Sequence, residues 1–486
     1  MKFKAIGKYI GMASILVLSS SCSKYLNLEP QNSTYDEVFW KDGSNVERAK
    51  LGAYSLLRDA FRADRSFFIL GDVAAGNFQV GGDYWNYNSL VKAGGFKFSY
   101  APYLESSLWN WTRFYKVINQ CNLIIENSEG MDNGLFKGGE SEKNNAIAEA
   151  RFLRAYTFFY MQRVWGDVLL TKNVFKDPQN IPDMARTPEK ETLDFCTEDL
   201  KYAIDHLTNS DNKRFASKGA AEALLAHLYA WRHDYVNAEK MATAVIQGNY
   251  DLVEMADYKT IWEGDSQETI FELPMLYSES GNEFSKDFFN AFLADPTIKD
   301  KNIASAWYID LDLLKESFRI LDPDMKDKRP AAVFRKVNNT WLLHKYDEVK
   351  YYNNNESDYA VSNNLVLYRL ADLYLLRAEA YAKTGREGLA MNDLNKIRSR
   401  AGLSDVTAGG MELFKEIFHE RRRELLGEGS TQFDLIRMEL FDKLDEYSIY
   451  YSTDRIANQG YYWPLNMRDL LPQNEKLTQN SWWKNH

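Results

Sequence analysis

Apolar residues recur every three to four positions along most of the chain, a helical period. It runs through nine stretches: 45–60, 109–127, 144–164, 189–207, 217–231, 235–247, 365–383, 387–400 and 411–426. The stretch 144–164 is apolar nearly all round and is expected at the centre. Thr187-Pro188 predicts a helix start, with a hydroxyl cap followed by proline at the first helical position. Two regions break the period. Residues 71–104 are rich in Gly, Asn, Asp and aromatics; residues 251–364 hold strand-like runs at 269–273, 332–337 and 341–345. Loops carried on a rigid scaffold are where ligand contacts concentrate, so these two are the binding candidates.

Two of the helical stretches repeat. Ala226, Tyr229, Ala238, Ala242 and Val245 return, offset by 152, as Ala378, Tyr381, Ala390, Leu394 and Ile397. The shared spacing A-x2-Y-x8-A-x3-[AL]-x2-[VI] is the skeleton of a tetratricopeptide-type helix pair. Alanines let two antiparallel helices approach closely, and the tyrosine fills the gap to the next pair. The connectors His233-Asp234 and Thr384-Gly385-Arg386 fit short helical hairpins. The predicted fold is mainly α: a helical-repeat scaffold of about four helix pairs, with inserted loop-rich segments carrying short strands. The scaffold spans 45–250 and 365–430, the insertions 71–104 and 251–364, and a C-terminal segment 431–486.

The N-terminus has a different pattern. Lysines at 2, 4 and 8 precede an apolar run to Leu18 and three serines, the order of a secretory signal. The run is far shorter than the ~20 residues of a membrane-spanning helix. Cys22 follows the small residues directly, in a setting that resembles a bacterial lipoprotein processing site. The expectation is cleavage after residue 21 and diacylation of Cys22, with 22–486 a single domain. Removing 1–21 takes three lysines, so the net charge goes from −10 to −13 over the remaining 465 residues. That acidic balance argues against nucleic acid. Arg421-Arg422-Arg423 alternates with glutamates and reads as a solvated, ion-paired helix face. Cys121 and Cys196 sit in apolar helical stripes and read as buried thiols rather than a disulfide.

A search for chemistry finds no catalytic constellation. None of the six histidines pairs at zinc-site spacing, and His419-Glu420 lacks the second histidine of a zinc-peptidase helix. There is no nucleophile elbow and no phosphate-cradling glycine loop. Asp310/Asp312 and Asp322/Asp324 do not complete a calcium loop. The chain therefore reads as a binding protein, not an enzyme, with no cofactor and no metal. Its 12 Trp, 30 Tyr and 27 Phe supply rings that match the flat apolar faces of sugars, and Asn, Asp and Arg match the hydroxyls. Trp85, Tyr84 and Tyr87 are the candidate floor, with Asn77, Asp83 and Asn86 at the rim. Tyr277, Trp307 and Tyr308 are the candidate opposing wall. The competing reading is that such an aromatic loop plugs its own small core.

Six short stretches, in order, resemble the SusD/RagB family of outer-membrane nutrient-binding lipoproteins. They are the mature start at 22–30 with Phe39-Trp40 and Gly52-Ala53-Tyr54; 111–122; 149–169; 367–403 with Arg369, Asp372, Glu379 and the closing run 397–403; 420–437; and Trp463-Pro464 through Gln479-Asn480. The resemblance implies a tetratricopeptide scaffold whose loop side captures glycan at the cell surface for nutrient uptake in polysaccharide utilization. It also implies a partner, a SusC-like TonB-dependent outer-membrane transporter on which the lipoprotein sits as a lid. A peptide-binding lid of a RagA/RagB-type importer, or a structural transporter subunit with little ligand affinity, are the alternatives. Two departures stand out. Thr431 and Gln432 occupy positions where the family more often has Arg and Trp, so a local ion pair is expected to be rearranged. Acidic residues are sparse after Cys22, which weakens the case for an acidic surface-export signal.

Overall fold

Asp42 opens α1 (Gly43–Arg62), the first long helix among the described residues, by accepting the Ser44 N–H at 2.9 Å. Val46, Ala49, Ala53, Leu57, Ala60 and Phe61 line its buried face at helical spacing. The molecule is seen here in a computed structural model that describes residues 38–82, 108–175, 181–275, 288–466 and 468–484. Helices α2 (Thr112–Gly130), α3 (Gly139–Trp165), α4 (Glu189–His206), α5 (Lys218–Trp231) and α6 (Tyr235–Ile246) follow, each packed on the next. The 27-residue α3 is central as expected: it touches α1, α2, α4 and α5, and its second half is buried on almost every side. After the long insertion come α7 (Leu370–Lys383), α8 (Glu387–Arg400), α9 (Gly410–Glu424) and α10 (Thr431–Arg437).

The repeat behaves as its spacing requires. Ala226, Ala238, Ala242, Ala378, Ala390, Leu394 and Ile397 are all fully buried, and Tyr229 and Tyr381 pack partly buried against the same core. Although the insertion separates them in sequence, α7 stacks directly on α6. Strand pairing makes this possible. β2 (Thr269–Pro274) runs antiparallel to β8 (Asn364–Arg369), with Thr269 opposite Arg369, so both ends of the insertion return to one place. The other strands form two-stranded ribbons: β1 (Phe78–Gln79) with β3 (Tyr308–Ile309), β4 (Phe334–Val337) with β5 (Thr340–Leu343), and β6 (Val349–Tyr352) with β7 (Asn355–Val361).

Three sequence expectations change. Residues 365–369, read as the start of a helix, are strand β8; a short run buried on both sides carries no period to separate the two. Thr187 does not cap α4. Its N–H donates to the Val168 carbonyl and its hydroxyl accepts the Leu170 N–H, while the first N–H of α4, from Glu189, goes to the Asp167 carboxylate at 2.8 Å. The charged run on α9 is ion-paired but not solvated. Glu420, Arg421 and Glu424 are fully buried and Arg422 is 8 % exposed. Cys121 and Cys196 are buried free thiols, and burial pushes Cys121 up to about 12.

Glu420 and Glu424 belong to one connected network with Glu268, Arg329, Arg369 and Arg400. Glu424 takes hydrogen bonds from Arg369, Arg329 and Arg400 and from the Tyr258 hydroxyl. Glu268 bridges Arg369 and Arg400, and Glu420 bridges Arg329, Arg398 and Arg423. Arg421 binds both Asp372 and Asp434, and Arg437 clamps Glu379 with two bonds at 2.7 and 2.9 Å. Burial alone would push Glu420 up, but Arg329, Arg423 and Arg398 outweigh it and hold the carboxyl down at about 2.

Candidate functional site

The two regions that break the helical period meet. Phe78 faces Ile309 and Gln79 faces Tyr308 across β1 and β3, and the Asp310 N–H extends the ladder to the Asn77 carbonyl at 3.0 Å. Gln79 Nε2 donates to Asp310 Oδ2 at 2.9 Å. Gly81 is required here: a Cβ would lie 2.1 Å from the Ala306 carbonyl oxygen. This ribbon is a ledge on the loop side of the helical stack.

Beside the ledge lies a cluster of rings, amides and cations. The Trp307 N–H donates to the Ala291 carbonyl at 2.6 Å, and its ring meets Phe292 edge-on at 5.7 Å. The Arg65 guanidinium lies 5.9 Å from the Trp307 ring centroid and donates to Asn290 Oδ1 at 3.2 Å. Asn290 Nδ2 in turn donates to the Tyr359 hydroxyl at 3.1 Å. Asp64 and Arg65 both have left-handed backbone, φ 48° and 55°. Such strain in ordinary residues persists only where surroundings fix it, and it gathers at functional sites. Lys301 donates to the Asn290 and Leu293 carbonyls at 2.6 and 2.5 Å. Burial, with the Arg65 charge adding to it, pushes Lys301 down to about 8. Lys301 and Tyr359 also line a polar groove of about 630 Å³ between the turn at 298–301 and the hairpin at 354–359.

Each sequence candidate has a distinct fate. Tyr308 is half-buried on the ledge, packed against the small cluster of Ala294, Ala306 and Leu342. Trp307 is 4 % exposed and fills the space beneath it, so it supports the ledge rather than forming an open wall. Asn77 is a correction. It is fully buried, and its side chain is engaged by Asp72, Thr431 and Arg422, so it offers no group to a sugar. Trp85, Tyr84, Tyr87, Asp83, Asn86, Tyr277 and Cys22 lie outside the described residues. Sequence reasoning missed Arg65, Asn290, Lys301 and Tyr359. None of the four left a local signal: Arg65 sits in the mixed stretch Phe61-Arg62-Ala63-Asp64-Arg65-Ser66, where nothing marks it out.

Two other clefts are less suited. One of about 780 Å³ flanks α4 and is dominated by charge, with Asp194 paired to Arg232 and Glu198 to Lys201. Another of about 580 Å³ mixes Trp111, Tyr115 and Phe175 with Asn119, Gln473 and Asn474, but it lies between α2 and the C-terminal segment, away from the two insertions. Among the described residues no group of three or more His, Cys, Asp or Glu is placed to hold a metal ion, and no helix is long and apolar enough to cross a membrane.

Comparison with known proteins bears on the whole chain. Residues 325–483 match the model described as SusD family, and residues 73–230 match one described as "Starch-binding associating with outer membrane". The chain is 28% identical to SusD-like protein P38 of Formosa agariphila, over 99% of both chains. The chain is similar to the SusD family along most of its length. It is 24% identical to the starch-binding protein SusD of Bacteroides thetaiotaomicron, over 71% of this chain and 72% of that one. A solved SusD-superfamily structure from Bacteroides thetaiotaomicron superposes with a TM-score of 0.74 at 27% identity, covering 91% of this chain and 99% of its own. A SusD-superfamily structure from Bacteroides vulgatus shares the fold at a TM-score of 0.76 and 21% identity. The SusD match takes in β8 through α10, so all of the arginine–carboxylate core except Glu268 and Tyr258 lies within the matched segment.

Proposed function

We propose that this chain is a SusD-like glycan-binding lipoprotein of the outer membrane. In this reading Cys22 carries the lipid, the helical stack faces a SusC-like TonB-dependent transporter, and the loop side captures oligosaccharide for delivery to it. The observation that carries the proposal is the β1–β3 ledge. It joins the two insertions, 229 positions apart at Gln79 and Tyr308, beside Trp307, Arg65, Asn290 and Tyr359. Relatives named for starch binding and for association with the outer membrane support the ligand class and the location. Trp85, Tyr84, Tyr87, Asp83, Asn86 and Tyr277 are proposed to complete the binding face with Tyr308.

Ring stacking contributes about 1 kcal/mol per contact. Added to apolar burial and hydrogen bonds and set against the cost of association, a few such contacts fit weak capture, with a dissociation constant in the micromolar-to-millimolar range, roughly −4 to −8 kcal/mol. Weak capture suits a lid that must release its cargo. Calorimetry on the detergent-solubilised full-length protein tests this, with maltoheptaose first and then the best binder from a glycan array. Trp85→Ala is expected to weaken binding about fivefold. Silence toward every glycan, with heat from a peptide pool or from none, would overturn the reading.

A further inference from the structure

We propose that Asp72 positions the binding ledge: its carboxylate sits in a nest of backbone N–H groups and holds, through Asn77, the strand that meets Tyr308. The inference rests on the glycan reading only for the purpose of the ledge.

Asp72 lies in a π-helical turn, Ile69–Val73, and is fully buried. Single π turns recur at functional sites. Oδ2 accepts the Gly429 N–H at 2.7 Å, and Oδ1 accepts the Gly427 N–H at 3.2 Å and Asn77 Nδ2 at 2.9 Å. Successive N–H groups converging on one oxygen pair are an anion-binding concavity, here filled by the chain's own carboxylate. Gly427 and Gly429 have φ of 78° and 72°, which turns both N–H groups inward. The two segments press backbone to backbone, since a Cβ on Gly71 would lie 2.2 Å from the Gly429 carbonyl oxygen.

Asn77 carries the constraint outward. Its N–H returns to the Asp72 carbonyl, and Nδ2 also donates to Thr431 Oγ1 at 2.8 Å. Its Oδ1 accepts Arg422 Nε at 2.9 Å. Its own carbonyl accepts the Asp310 N–H, the first rung toward β3. Every polar atom of Asn77 is therefore spent on placing β1. The nest itself is anchored: Glu428, between the two glycines, is held by Lys345 at 2.6 Å and Arg369 at 2.8 Å. A continuous path thus runs from the α7 cap, Arg369, through the 427–429 turn and Asp72 to the ledge.

The charged and titratable groups facing Asp72 are Lys345 and Tyr346 from the β5–β6 connection, Glu428 in the turn, and Arg422 from α9, which has Glu446 3.7 Å away. Lys345 is committed to Glu428 and the Glu424 carbonyl. Dipoles, not an ion pair, therefore carry most of the load. Burial pushes Asp72 up to about 6, with the bonds from Asn77, Gly429 and Gly427 offsetting part of the rise. An opened ledge returns the carboxyl to water, at about 3.9. The closed form then binds the proton more tightly, so acid favours closure.

Hydrogen exchange of the full-length protein, read by mass spectrometry over 72–82 and 303–311 with 370–400 as reference, tests the assignment. Asp72→Asn sets amide hydrogens against the nest's own donors. It is expected to speed exchange in both ledge segments at least tenfold and leave 370–400 unchanged. In the wild type, protection of 72–82, corrected for intrinsic exchange, is expected to rise about tenfold from pH 7.5 to pH 5, and in D72N to stay flat. An unchanged ledge in D72N, a rise shared equally by 370–400, or the same pH profile in both proteins would overturn the proposal. Should D72N fail to fold, Thr431→Val removes one Asn77 acceptor without touching the nest. Severalfold faster exchange in 72–82 supports the proposal, and no change refutes it. No sugar enters the experiment, so failure of the glycan reading and failure of this one are separately visible.

Discussion

The turn at 427–429 touches two regions made of opposite materials. On one side Arg329, Arg369 and Arg400 interlock with Glu268, Glu420 and Glu424, all with side chains 4 % exposed or less. On the other, the ledge is joined by strand pairing of Gln79 with Tyr308, by single bonds from Gln79 to Asp310 and from Asn290 to Tyr359, and by Arg65 and Lys301 at its margin, with no interlocked ion pairs among these residues. Charges kept from water fix geometry, because each lost partner leaves a bare ion in a medium that cannot screen it. Amides, hydroxyls and rings can trade water for sugar hydroxyls at little cost. The contrast fits rigidity in the last helix pairs and, on the proposed reading, recognition on the loop side.

The sharpest way to break that contrast is at Glu424. Replacing it by Gln removes the charge shared by Arg329, Arg369 and Arg400. A loss of about 3–5 kcal/mol in unfolding free energy is expected, the cost of orphaning a buried ion. Glu129→Gln is the control. Its carboxylate is half-exposed against Arg151, and a change below about 1 kcal/mol is expected. Urea melts of both proteins measure the difference; equal, small shifts would show that the buried core is not what holds this half together.

A second test uses pH. His419 lies on the same helix as Glu424; burial, with Arg423, Arg422 and Lys415 adding to it, pushes it down to about 4 from 6.5. A base lowered in the folded state leaves stability unaffected above the unfolded value and subtracts from it as pH falls toward the folded one. Acidification from pH 7 to pH 4 is therefore expected to cost the wild type up to about 3 kcal/mol relative to His419→Gln. Asp72 has the opposite sign, since its folded value is raised. The measurement is thus the difference between wild type and variant at each pH, not the wild-type curve alone. A constant difference across that range would remove His419 from the account.

How much of this was legible depends on what each residue answers to. The repeat stack was readable because close helix approach demands small residues at fixed spacing, and Ala226, Ala238, Ala378 and Ala390 supply them. The strand at 365–369 was not, because Leu365 and Val366 are buried whichever element holds them. The charged face of α9 was misread for a related reason: alternating Arg and Glu looks the same whether its partners are water or Asp372, Asp434 and Arg329 from elsewhere in the chain. At the site, composition marked both insertions, but nothing local announced that Gln79 would pair with Tyr308. Asn77 shows the limit most plainly. The same amide that could meet a sugar hydroxyl meets Asp72, Thr431 and Arg422 instead, and only the fold decides between them.

The smallest expected effect tests the recognition side. Tyr308 is half-buried on β3, with part of its ring spent on Ala294, Ala306 and Leu342 and part facing outward. Tyr308→Ala should weaken the glycan identified on the array by about fivefold, near 1 kcal/mol, the value of one ring contact. The urea midpoint should move far less than in the Glu424 variant, because no ion is orphaned. The pair of measurements decides more than either alone. Lost affinity with a near-native midpoint keeps Tyr308 on the ligand face. A large fall in stability with affinity intact would move it into the same class as Trp307, a ring that props the ledge from below. Recognition would then have to come from residues that the β1–β3 ribbon carries rather than from the ribbon itself.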